Sequence, residues 1–153
     1  MGYEKGLVIL YTGEGKGKTT AAVGLAVRAA GYNKKILIVQ FGKNSFSGEI
    51  KSLKKLKIKV IQGGRGFVKI LGDKLPLSEH KKKALETFNI LYEEALSGKW
   101  DVVVADEIIG AASSGLLPES LVVKLIQAKS QELNLVLTGH HAPKKLIEMA
   151  DLV

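Results

Sequence analysis

The sequence predicts an α/β fold of three layers, a mostly parallel central sheet with helices on both faces. Two observations carry this. Apolar runs of strand length alternate with segments of helical period along the whole chain, and such alternation calls for crossovers that cover both faces of a parallel sheet. The first of those runs also passes through a glycine-rich turn straight into an alanine-rich helical segment. With 153 residues, the chain is expected to form one domain over 1–153. Folding at that length buries roughly 68–70% of the surface that the unfolded chain exposes.

The elements follow in order. Gly6 to Thr12 is a short apolar run ending at glycines, as a buried parallel strand does. Thr19 to Ala30 is rich in alanine and ends at Gly31, a suitable residue just past a helix C-terminus. Lys35 to Phe41 reads as a second buried strand and Ile58 to Ile61 as a shorter third. Between them Lys51, Lys54, Lys55, Lys57 and Lys59 surround Leu53 and Leu56, the pattern of an amphipathic helix with a solvated basic face. Ser78 is placed to cap a long helix reaching about Leu96, with Leu85, Phe88, Tyr92 and Ala95 as its apolar stripe and His80 on its exposed side. Ser97-Gly98 closes that helix, and Trp100 opens the next strand as a packing residue. Asp101 to Ala105 is the fourth strand, and a helix over about Pro118 to Lys129 turns Leu121, Val122, Leu125 and Ile126 to one side. Leu133 to Thr138 is a fifth strand. His140 and His141 follow it in a polar loop at the edge where open α/β sheets bind ligands. Pro143 suits the first turn of a last helix, and Asp151-Leu152-Val153 reads as the opening of a further strand.

Composition narrows the classes. Cysteine is absent, which excludes disulfides and thiolate metal sites. No apolar stretch approaches the roughly 20 residues that span a bilayer, and the N-terminus lacks a secretory pattern, so a cytoplasmic protein without a membrane partner is expected. The formal net charge of +8 suggests an anionic partner. The lysines, however, run from Lys5 to Lys145 with few aromatics between them, which speaks for a solvated surface over nucleic-acid binding.

The turn after the first strand reads Gly13-Glu14-Gly15-Lys16-Gly17-Lys18-Thr19-Thr20. Strand, glycine-rich turn, Gly-Lys-Thr and helix is the context of a phosphate-binding P-loop. Glycines let backbone N–H groups converge on phosphate oxygens, and the helix N-terminus adds positive potential. Lys18 supplies a mobile cation and is the candidate catalytic residue, while the Thr19 hydroxyl can ligate Mg²⁺. The strict spacing would place glycine at position 12, where Thr12 stands. After the fourth strand comes Asp106-Glu107, an acidic pair that can hold Mg²⁺ directly or through water. Position at the strand end does not choose between the two carboxylates. Asn33-Lys34 is followed by Lys35-Ile36, so guanine selectivity has no support and ATP is the expected nucleotide.

These residues resemble the P-loop type of cob(I)alamin (corrinoid) adenosyltransferase. The match runs through Gly13 to Ala22 with Thr12 before it, Arg28-Ala29-Ala30-Gly31, Val39-Gln40-Phe41, Gly48-Glu49, Gly64-Arg65-Gly66-Phe67, Asp106-Glu107, Thr138-Gly139 and Ala150 to Val153. The resemblance implies a RecA-like P-loop NTPase sheet and an unusual reaction. Cobalt(I) attacks the 5′ carbon of ATP, a cobalt–carbon bond forms and triphosphate leaves. It further implies that Gly13 to Thr20 hold the phosphates and that Arg28 sits near the nucleotide. Thr19 and Glu107 would ligate Mg²⁺, with Asp106 the second choice. Phe67 would face the corrinoid, where an apolar ring excludes a lower axial ligand and favours reduction to cobalt(I). An electron donor for the cobalt is then required, and a homodimer is allowed. Two other readings are a small ATPase or kinase of other specificity and a non-catalytic nucleotide-dependent binding module.

Overall fold

The computed structural model describes residues 5–42, 48–63 and 76–153. Its sheet contains β1 (Val8–Thr12), β2 (Ile36–Gln40), β3 (Lys59–Gln62), β4 (Val102–Asp106) and β5 (Asn134–Gly139), in the spatial order β1-β5-β4-β2-β3. Every pairing is parallel, so the expected mostly parallel sheet is wholly parallel among the described strands. The central strands β2 and β4 are buried along their full length, which is why they read as continuous apolar runs.

Helices cover both faces. On one side, Ala22 and Ala26 of α1 (Lys18–Gly31) and Leu53 of α2 (Gly48–Lys55) pack on Ile36, Ile38, Val102, Val104 and Val136. The small alanine side chains let α1 lie close on the strands. On the other face, α3 (Leu77–Leu96), α4 (Ile108–Ser113), α5 (Glu119–Ala128) and α6 (Lys144–Met149) enclose Leu10, Leu37, Val39, Val103, Leu135 and Leu137. The three-layer α/β architecture expected from the alternation is therefore present.

Several local expectations shift. Helix α3 begins after Pro76, whose extended backbone forms the N-cap, so Ser78 lies inside the first turn and does not cap it. The buried face of α3 runs through His80, Ala84, Thr87, Phe88, Leu91 and Ala95, residues related by steps of three and four. Leu85, one position out of that stripe, is exposed, and His80 is buried. Gly31 remains helical, and Asn33 takes the left-handed turn at φ 59°. Helix α4 had no sequence signal of its own. Trp100 packs on the core, and its indole N–H donates to Glu94 Oε2 at 2.6 Å. Leu152 forms a parallel bridge with Ile9 on the free edge of β1, the further strand opening that the chain end suggested. No helix among the described residues is long and apolar enough to cross a membrane.

Candidate active site

The site lies at the carboxyl ends of β1, β5 and β4. Gly13 leaves β1 with φ 125°, and Gly17 caps α1 with φ 107°, conformations that L side chains rarely adopt. Between them Glu14, Gly15 and Lys16 are exposed. Helix α1 starts at Lys18 with no side-chain cap, so its first amides are directed into the turn as a phosphate cradle requires. The Lys18 ammonium lies across the loop and donates to the carbonyl oxygens of Gly13, at 2.9 Å, and Gly15. Thr20 is exposed on the first turn. Thr12, the departure from strict spacing, has a structural reason: its hydroxyl donates to Gly139 O at 2.8 Å and accepts from the Ala142 N–H at 3.3 Å. That side chain fastens the end of β1 to the loop after β5, and the glycine turn starts one residue later.

The acidic pair sits behind the loop. Asp106 ends β4 and is 1% exposed. Its Oδ1 accepts from the Thr19 hydroxyl at 2.8 Å and from the Thr138 hydroxyl at 2.8 Å. Glu107 is partly exposed and caps α4 in the left-handed conformation, φ 66° and ψ 14°. A non-glycine residue held there costs about 1–3 kcal/mol and persists only when its surroundings fix it. The Glu107 N–H donates to Thr138 Oγ1 at 2.9 Å. Its Oε2 lies only 2.9 Å from the point that a Cβ on Gly110 would occupy, so the carboxylate folds over the first turn of α4 where glycine leaves room. Next to it, a Cβ on Gly139 would meet Gly110 N at 2.4 Å, which shows how closely the end of β5 presses on α4.

A polar row continues across the sheet from Asp106. Gln40 pairs in register with Asp106 on one side and with Gln62 on the other. Gln62 Nε2 donates to Gln40 Oε1 at 2.9 Å, and Gln40 is fully buried.

The structure thus brings together Gly13, Lys18, Thr19, Asp106 and Glu107 from separate elements. Arg28 is not among them. It stands ten residues beyond Lys18 on α1, roughly 15 Å along the helix axis. There it lines a groove of about 840 Å³ at the opposite edge of the sheet, with Lys5, Tyr32, Lys34 and Asp101. Phe67 lies outside the described residues. His140 and His141 are exposed on the loop after β5, their ring centroids 6.1 Å apart. Thr138 is the contact that the sequence alone did not single out as part of the site; it stood there as the end of a strand and as one half of the Thr138-Gly139 pair in the family resemblance. The oxygens of Thr19, Asp106 and Glu107 suit a hard cation such as Mg²⁺. Among the described residues no group of three His, Cys, Asp or Glu forms a closed cage, so phosphate oxygens and water would complete the shell of such an ion.

The sequence profile of the ATP:corrinoid adenosyltransferases BtuR/CobO/CobP matches residues 4–153. The chain belongs to this family. It is 30% identical to the corrinoid adenosyltransferase of Escherichia coli K12 over 98% of its own length and 76% of the relative's. It is 29% identical to the corrinoid adenosyltransferase CobA of Salmonella typhimurium, again over 98% of this chain and 76% of the relative. The corrinoid adenosyltransferase of Pseudomonas aeruginosa is 31% identical over 98% of this chain and 74% of its own. A member of this transferase family uses ATP and a corrinoid as substrates.

Proposed function

We propose that this chain transfers the 5′-deoxyadenosyl group of ATP to the cobalt(I) of a corrinoid and releases triphosphate. The observation that carries the reading is the late-starting phosphate loop, backed by the Thr19–Asp106 contact, in a chain that matches this family from residue 4 to residue 153. Cobalt(I) supplies an electron pair to the 5′ carbon. The cobalt–carbon bond forms as the carbon–oxygen bond breaks, and that second pair leaves with the triphosphate oxygen. No proton has to move, so the protein's work is positioning and charge stabilisation. The amides of Gly13 to Thr20 and the Lys18 ammonium receive the charge that grows on the leaving triphosphate, Lys18 exchanging its loop carbonyls for phosphate oxygens.

Mg²⁺ fits as a cofactor, held by the Thr19 hydroxyl and the Glu107 carboxylate. Bound there it would neutralise triphosphate charge. Asp106 is buried and already accepts the Thr19 hydroxyl, which supports a role in orienting Thr19. Phe67 is assigned to the corrinoid side. Phe67→Ala should slow transfer while leaving ATP affinity and melting temperature nearly unchanged. A cytoplasmic setting and a separate electron donor for cobalt complete the reading, with room for a homodimer.

Incubation with ATP, Mg²⁺ and chemically reduced cobalamin tests it. The corrin absorption should change to that of the adenosylated form only when ATP and protein are both present. An unchanged spectrum with ATP consumed would support an ATPase or kinase reading instead.

A further inference from the structure

The two groups proposed to hold Mg²⁺, the Thr19 hydroxyl and the Glu107 carboxylate, come from the ends of different strands. Thr19 follows β1 and Glu107 follows β4, and β5 lies between those strands in the sheet. The last side chain of β5 on this face is Thr138, which is fully buried. Its hydroxyl donates to Asp106 Oδ1 at 2.8 Å, and the same oxygen accepts from the Glu107 N–H at 2.9 Å. Asp106 Oδ1 in turn accepts from the Thr19 hydroxyl at 2.8 Å. A continuous line of hydrogen bonds therefore runs from the phosphate loop to the backbone of Glu107 through two residues. Each bond has the length of a well-formed one.

From this geometry we infer that Thr138 is a positioning residue that sets the metal-holding pair, through Asp106 on one side and the Glu107 backbone on the other. The inference rests on the metal assignment proposed above and deepens it. One hydroxyl suffices because it can donate and accept at once. Donation turns Asp106 Oδ1 towards Thr19. Acceptance fixes the Glu107 amide, and with it the left-handed backbone at φ 66° that directs the glutamate side chain over α4. The close seat of Gly139 against Gly110 N and Ile109 keeps the strand end from sliding away. A valine at position 138 would fill the same volume and could make neither bond.

The full chain carrying Thr138→Val or Thr138→Ser provides the test, with ATP binding measured by calorimetry while Mg²⁺ is titrated. Supports of metal ligands are typically worth about 10–100-fold in metal affinity. Thr138→Val should raise the half-saturating Mg²⁺ by that factor and leave Mg²⁺-free ATP binding nearly unchanged. Hydrogen exchange at the Glu107 amide, followed without nucleotide, should accelerate in the same variant. Thr138→Ser, which keeps the hydroxyl, should restore both. Should Thr138→Val lose its cooperative melt, Thr138→Ala replaces it, because it also lacks the hydroxyl and places no methyl against Asp106. A Mg²⁺-dependent parent together with a hydroxyl-free variant of unchanged Mg²⁺ requirement overturns the role given to Thr138. A parent whose ATP binding shows no Mg²⁺ dependence overturns the metal assignment itself.

Discussion

The two edges of the sheet differ in how far their polar side chains bond to one another. At the amino edge they end on backbone. Asn134 Oδ1 accepts from the Leu7 N–H at 2.9 Å, Asp151 Oδ2 from the Val8 N–H at 2.7 Å and Asp101 Oδ2 from the Lys35 N–H at 2.7 Å. The Lys129 ammonium donates to the carbonyls of Gly6 and Leu133. These bonds satisfy strand ends that would otherwise be unpaired, and their work is finished within the fold. At the carboxyl edge side chains bond to each other, as Thr19, Asp106 and Thr138 do, beside glycines at φ 107° to 147° and a glutamate at φ 66°. Here side chains bond each other as well as backbone, and conformational energy is held beside them, which marks this edge as the candidate site.

Substitutions at the two edges should accordingly do different things. The largest effect belongs to Lys18→Ala. Loss of a donor aimed at developing charge costs about 10²–10³ in kcat, and adenosyl transfer should fall by that factor with the melting temperature nearly kept. Unchanged turnover and ATP affinity would remove the loop from the mechanism. Glu107→Gln should raise the Mg²⁺ requirement for turnover at least about 100-fold, beyond the usual range for a supporting residue. Asp106→Asn retains an acceptor for Thr19 and should raise it less. The opposite ranking in a Mg²⁺ titration would transfer the metal to Asp106. Gly139→Ala acts on the packing of the same edge. Its Cβ would meet Gly110 N at 2.4 Å with φ at 147°, so a urea titration should show a loss of about 1–3 kcal/mol.

Changes at the amino edge should register in stability alone. Burial lowers the Lys129 pKa from its ordinary value; Asp151 opposes that shift and Lys5 adds to it. In the alkaline window below the ordinary lysine pKa the unfolded chain then binds more protons, so this residue's contribution to stability rises with pH there. Urea midpoints of the parent minus those of Lys129→Met should therefore climb as pH approaches that ordinary value. A flat difference would mean that burial does not shift Lys129. Arg28→Ala, the smallest effect, should change ATP affinity less than tenfold, under about 1.4 kcal/mol. A greater loss by calorimetry would bring Arg28 to the nucleotide after all and blur the contrast between the edges.

The contrast also explains what could be read from the sequence. The glycine-rich turn between β1 and α1 was legible because strand, glycines, Lys18 and Thr19 follow one another in a single stretch whose local physics needs nothing from elsewhere. The sheet was legible for a similar reason, since β2 and β4 are buried throughout and written as unbroken apolar runs. Helix α4 was not, because it is only six residues long. It also starts from a left-handed Glu107 held by Thr138, 31 positions later. Arg28 shows the same limit from the other direction. It is near the loop in sequence, yet a straight helix carries it to the far edge. Phe88 and Ala95 of the stripe expected on α3 are buried, but Leu85 is exposed, because the small Ala84 one position earlier faces the core in its place.

The central claim is that the loop holds triphosphate as a leaving group. Phosphorus NMR of the nucleotide products, with ATP, Mg²⁺ and chemically reduced cobalamin in excess over the protein, tests it most directly. Inorganic triphosphate should appear in step with each cobalt–carbon bond formed. ADP and orthophosphate accumulating while the corrinoid stays unalkylated would contradict it.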